Sequence, residues 1–198
     1  MDSEKLSIYD IIHGMFLSIE NAKALIDDAE LLMDNGRIAR TFVISQLASE
    51  EIGKAFILYN LYMALKIDGI PIDHKKIRKA FYDHKSKTFE ATMADFMIVS
   101  EKKLTDEDEK KAIEGLCKEI IKGREEYNTL KNRGLYISFE DGKFIKPEDS
   151  ISHSEASASL TKAKERYNMT LKITTREVDF DLKHGSHPRF HTGSKFKT

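Results

Sequence analysis

Apolar residues recur in alternating steps of four and three at Met15, Ile19, Ala22, Ile26, Ala29 and Met33. That spacing draws one stripe along a helix, and such a stripe is satisfied only by burial against antiparallel neighbours. The helix is expected from about Leu6 to Asp34. Asn35-Gly36 closes it, because Gly readily takes the left-handed conformation of a helix end. Only 3 Pro and 10 Gly occur in 198 residues, so little interrupts helical runs elsewhere. With 40% hydrophobic and 33% charged residues, the chain is apolar enough to bury a core and suits one domain.

The second helix, about Arg37 to Lys66, is apolar nearly all round at both ends: Phe42-Val43-Ile44 and Ala55-Phe56-Ile57-Leu58. Helices of that kind sit centrally in a bundle. Its middle reads Ser49-Glu50-Glu51-Ile52-Gly53-Lys54. The stripe Ile44, Ala48, Glu51, Ala55, Leu58, Tyr62 therefore carries a carboxylate on a seam that should be dry. The neighbouring seam Val43, Leu47, Glu50, Lys54, Ile57, Leu61 does the same. A buried carboxylate is costly unless paired, so a partner is expected for each.

After the turn Asp68-Gly69-Ile70-Pro71, Asp73 is placed to cap a third helix running to about Lys102. Its stripe, Ile77, Phe81, His84, Thr88, Ala91, Asp95 and Ile98, again has polar insertions. Thr105 opens a fourth helix whose first turn holds Asp106, Glu107 and Asp108, where acids favour the helix dipole. It ends near Asn132-Arg133-Gly134. Residues 135–145 read as a short hairpin turning at Asp141-Gly142, ended by Pro147. A fifth helix, about Ser154 to Leu182, buries Leu160, Ala163, Tyr167 and Leu171. The expected architecture is all-α: an antiparallel bundle of about five long helices, with a short β-hairpin between the fourth and fifth. Residues 1–183 form this domain, and 184–198 are expected to be a mobile basic, His-containing tail.

A formal net charge of −1 gives no global basic field, so a nucleic-acid partner would have to be held by a local patch. The single Cys117 excludes an internal disulfide and fits a reducing compartment. Met1-Asp2-Ser3-Glu4-Lys5 lacks the charged-then-apolar order of a signal peptide, and no apolar run approaches membrane-spanning length. Cytoplasmic residence without a membrane partner is the expectation.

Three constellations could carry chemistry. Glu50, Glu51 and Lys54 read either as a polar pocket inside the bundle or as an ion-pair network that fixes helix register. Arg78 and His84, followed by Lys85, Ser86 and Lys87, combine a neutral-pH acid or base with groups that brace a phosphate. On a straight helix those two side chains point about 240° apart, so they converge only if the helix start is irregular or a second subunit completes the site. The alternative is a surface Arg and a satisfied core His. His184, His187 and His191 have the spacing of one helix face, but Gly185 and Pro188 argue against a helix there, and no metal or other cofactor is assigned.

Ordered landmarks now accumulate: Asn21-Ala22 through Asp28-Ala29, Asn35-Gly36-Arg37, and Leu47-Ala48-Ser49-Glu50-Glu51-Ile52-Gly53-Lys54. His84-Lys85-Ser86-Lys87 follows, then Gly134-Leu135-Tyr136 and Pro147. Over residues 15–150 this series resembles the AbiV-type abortive-infection family of phage-defence proteins, placed in the HEPN superfamily. The resemblance implies a HEPN-like helical bundle, usually dimeric, and for many members a metal-independent ribonuclease using Arg-x(4–6)-His. Arg78-x5-His84 fits that window, although many such nucleases carry the motif nearer the end of the bundle.

The implied catalytic residues are Arg78, His84 and Glu51, with Glu50, Lys54, Lys85 and Lys87 binding substrate or supporting the site. His84 would take the proton of a ribose 2′-hydroxyl, and Arg78 with Lys85 or Lys87 would stabilise charge on the phosphate. Glu50 or Glu51 would orient the imidazole or fix the dimer seam. The implied partners are RNA, a second copy of the chain, and a phage-encoded activator or target protein. Some HEPN proteins lack catalysis and act only by binding. The alternative function is thus a non-catalytic helical protein that binds a phage or translation component and blocks propagation.

Overall fold

The computed structural model describes residues 6–69, 74–102 and 104–184. Within them, the side chains of His84, Lys85, residues 121–127 and a few others are not described. The tail residues 185–198, including His187 and His191, lie outside the described residues, as does Asp73.

Seven helices and one hairpin are seen among the described residues: α1 (Ile8–Asp34), α2 (Ile38–Asp68), α3 (His74–Tyr82), α4 (His84–Glu101), α5 (Asp106–Leu135), β1 (Ser138–Glu140), β2 (Lys143–Ile145), α6 (Pro147–Ser150) and α7 (His153–His184). The all-α bundle with its hairpin between the last two long helices is as expected. At the start of α1, Ser7 and Asp10 form a capping box, each side chain bonded to the other residue's backbone N–H. Thr105 caps α5, accepting from the Asp108 N–H ahead of a first turn rich in acids. In the hairpin, Asp141 (φ 50°) and Gly142 (φ 77°) take the two left-handed positions of a tight turn, and Phe139 pairs with Phe144 across the ladder.

Helix α2 is central, packing on α1, α4, α5 and α7. The α1 stripe is buried from Met15 to Ala29, Met33 being half-buried. Apolar clusters then follow α2 from end to end. Tyr62, Leu58 and Ala55 meet α1 and Val178, Ile52 and Phe56 meet Ala91 and Ala94, Ala48 meets Leu160 and Ala163, and Val43 meets Ile151 and Ala156. On α7, Leu160 and Ala163 are buried while Tyr167 and Leu171 are half-buried edges of the core.

One expectation fails. The third long helix is not continuous: it breaks at Asp83 into α3 and α4. The Asp83 carboxylate accepts a hydrogen bond from the Ser86 hydroxyl at 2.5 Å, and its carbonyl accepts the Lys87 N–H at 3.2 Å. Asp is a favoured helix N-cap, so α4 starts afresh here. The four-and-three spacing of Phe81, His84 and Thr88 passes through the break unchanged, which is why periodicity conceals it.

Candidate functional site

The two carboxylates predicted on dry seams of α2 have different fates. Glu50 is 8% exposed and bridges two lysines. Lys131 of α5 donates to its carboxylate at 2.6 Å, and Lys87 of α4 stands 2.9 Å away. Both lysines are buried as well. Burial pushes the Glu50 pKa up, but the hydrogen bonds and charges of Lys131 and Lys87 outweigh it and hold the value at about 2, against 4.5 ordinarily. Glu51, on the adjacent seam, is mostly buried and accepts from Lys54 at 2.5 Å.

The backbone completes the joint. A Cβ on Gly53 would lie 2.0 Å from the Lys87 carbonyl oxygen, so α2 and α4 touch through their main chains where Glu50 reaches Lys87. Any side chain at position 53 would push α4 away. Gly134 does the same for α5: a Cβ there would meet the Val43 side chain at 2.7 Å and the Ala39 carbonyl at 3.3 Å. Each small residue thus sits beside an ion pair of the same junction.

On the other side of the break, the Lys54 ammonium lies 5.8 Å above the Phe81 ring of α3, within cation–π range. Lys54, Phe81 and Arg78 line a shallow pocket of about 350 Å³ together with His74, whose Nε2 accepts the Leu6 N–H. Arg78 is exposed. The Ser49–Lys54 segment therefore grips both helices that flank the break: α3 through Lys54 and Phe81, and α4 through Glu50, Lys87 and Gly53. His84 is the first residue of α4 and Lys85 the second, one turn ahead of this grip.

The predicted residues thus fall into two groups. Lys54 and Arg78 line the shallow pocket, with Glu51 bonded to Lys54, and Glu50 joins Lys87 in the interior. Lys87 supports the start of α4 through its carboxylate partner. The Arg-x5-His spacing spans two helices, so the 240° separation of a straight helix does not apply to it.

Sequence reasoning missed Lys131, which answers Glu50 from 81 residues away. It also missed Arg166. Asp95, singled out as a polar insertion on an apolar stripe, receives two hydrogen bonds from Arg166 of α7 at 2.8 and 2.6 Å, with Lys162 at 3.5 Å. Gly134 stands in the sequence as a helix end and a family landmark, without a sign of the contact it makes with Val43. The signal available for each was a charge or a Gly within an otherwise apolar helix face.

Among the described residues, no three His, Cys, Asp or Glu side chains converge as a metal site, and no helix is long and apolar enough to cross a membrane.

The HEPN-type AbiV family model matches residues 10–168, which covers the α2 segment, the break with Arg78 and His84, the hairpin and the Arg166 pair. No curated protein and no solved structure matches the chain. The chain belongs to the AbiV family of the HEPN superfamily, a family of abortive-infection proteins in phage defence.

Proposed function

We propose that this chain is a metal-independent endoribonuclease, acting in the cytoplasm as a homodimer during abortive infection. The observation that carries the reading is the seat of Arg78-x5-His84. The element straddles a helix break, and the same α2 segment grips both of its sides.

A site that cleaves RNA by internal transfer needs a base at the 2′-hydroxyl and positive charge at the phosphate. His84 takes the 2′-proton, and the freed oxygen attacks the adjacent phosphorus. The 5′-oxygen of the next nucleotide leaves and is protonated, giving a 2′,3′-cyclic phosphate and a 5′-hydroxyl. Arg78 and Lys85 offset the charge that builds on the phosphate. One imidazole cannot be base and acid in the same step, so the His84 of a second copy supplies the acid. Glu51 acts through Lys54, holding it between α2 and the Phe81 face of α3.

The test is incubation of the purified protein with total RNA in excess EDTA, followed by mapping of the new ends. Cyclic phosphate ends that disappear with His84→Ala support the proposal. Intact RNA at stoichiometric protein refutes it.

A second reading rests on the hairpin. Tyr136, Ile137, Phe139 and Phe144 are all exposed, Phe144 by 81%, and the two Phe rings stack 4.9 Å apart at a tilt. Aromatic groups held out in solvent on a short ladder suit binding to another protein. This is the surface by which a non-catalytic member would hold a phage or translation component.

A further inference from the structure

A cavity of about 290 Å³ lies between α2, α4, α5 and α7, apart from the shallow pocket beside Arg78. It opens to solvent beside exposed Phe89, Glu155 and Ala158 and reaches inward to buried Ser49, Asp95 and Arg166. Phe42, Phe89, Leu116 and Leu130 make most of its wall apolar, and Ser49 and Thr88 add hydroxyls.

Ser49 stands out from its own helix. Thr41 donates to the Arg37 carbonyl and Ser45 to the Thr41 carbonyl, each one turn back. Ser49 is next in that series and is 6% exposed. Among the described residues, however, no hydrogen bond engages its hydroxyl, which faces the cavity it lines. Ser49 is buried as a residue, but its hydroxyl is not sealed off, so it is placed to bond whatever fills the cavity it lines.

The charged groups that line it already have partners: Lys162 stands 3.5 Å from Asp95, and the Glu155 carboxylate accepts from the Ser152 N–H and hydroxyl. Asp95 takes two hydrogen bonds from Arg166, and Glu50 is held by Lys87 and Lys131. A charged occupant would have to break these pairs; an uncharged one would not.

We propose that this cavity binds a small uncharged organic molecule: a ring system with one hydrogen-bonding group, which is received by Ser49. An apolar cavity of roughly 150 Å³ admits benzene, so this one has room for a substituted or fused ring. The occupant would rest on Thr88, one residue beyond Lys87, and so on the joint that fixes the start of α4. Such a site is suited to an effector, and its existence does not depend on RNA cleavage.

The experiment uses the full chain with phenol, indole, toluene, benzoate and benzylamine as probes, read by ligand-detected NMR and thermal melting. Phenol and indole are expected to saturate and raise the Tm, while benzoate and benzylamine at equal concentration do not. Ser49→Ala should weaken phenol about tenfold and leave toluene within twofold, a split that general destabilisation would not produce. Ala158→Trp, at a lining position that is itself exposed, should abolish binding of all neutral probes. Failure of phenol and indole to saturate, benzoate binding as tightly as phenol, or equal losses for phenol and toluene in Ser49→Ala would each overturn the proposal.

Discussion

Replacing Glu50 by Gln keeps the side chain's volume and removes its charge, leaving the buried Lys87 and Lys131 ammonium groups without their counter-ion. Two routes give the magnitude. Breaking a buried pair by removing one partner costs about 3–5 kcal/mol. Independently, a carboxylate held at a pKa of about 2 against 4.5 is stabilised in the folded state by about 3 kcal/mol. For a chain of this size, that is a fall in Tm on the order of 10 °C. The sign of the pH dependence follows from a depressed folded-state pKa: the contribution is complete above 4.5 and is lost as pH falls towards 2. Urea titrations of both proteins at pH 7 and pH 3 should therefore show a gap that narrows to about 1 kcal/mol at the lower pH. A second variant separates charge from packing. Glu50→Leu combined with Lys87→Met and Lys131→Met removes every charge, and should regain most of the stability lost in Glu50→Gln. A gap below 1 kcal/mol at pH 7, or one of equal size at both pH values, would refute the buried bridge.

Gly53→Ala places a Cβ 2.0 Å from the Lys87 carbonyl, so it should cost more than about 2 kcal/mol in urea titration and speed amide exchange in the first turns of α4. Asp95→Asn leaves Arg166 buried without its counter-charge and should cost about 3–5 kcal/mol by the same assay. Because each cleavage takes one His84 from each subunit, equal mixing of wild-type and His84→Ala chains should leave about a quarter of the cleavage of the same total protein as wild type, since only about a quarter of the dimers then carry both imidazoles. Sites built within single chains would keep about half in that mixture, which would refute the shared site.

Local chemistry made most of the fold legible. The α1 stripe, the Thr105 cap with its acidic first turn, and the Asp141-Gly142 turn each follow from neighbouring residues, and each stands in the structure as expected. The break at Asp83 was the exception. Asp83 and Ser86 carry a capping signal, but the apolar spacing crosses it in phase, and a reading based on period passes over a cap that leaves the phase unchanged. The break matters because it decides how Arg78 relates to His84.

The site was legible only by halves, for a physical reason. A carboxylate on an apolar seam announces that a cation must answer it, because its burial cost is fixed locally. Which cation answers is set by where helices cross, and crossing depends on contacts between distant elements. Glu50 had Lys54 four residues away on its own seam, the partner that helical spacing favours. Yet Lys54 bonds to Glu51 and leans over Phe81, while Glu50 reaches α4 and α5. The sequence still holds a trace of that choice in Gly53 and Gly134. In the interior of α2, Gly53 costs about 1 kcal/mol relative to Ala, offset by the close approach of the Lys87 backbone, while Gly134 stands in the last turn of α5 against Val43. Each of these glycines lies three residues from a member of the Glu50 bridge, Gly53 from Glu50 and Gly134 from Lys131. A charged residue on a dry seam with a Gly one turn further along the same helix therefore marks a crossing point, and two such pairs on different helices are candidates for the same crossing.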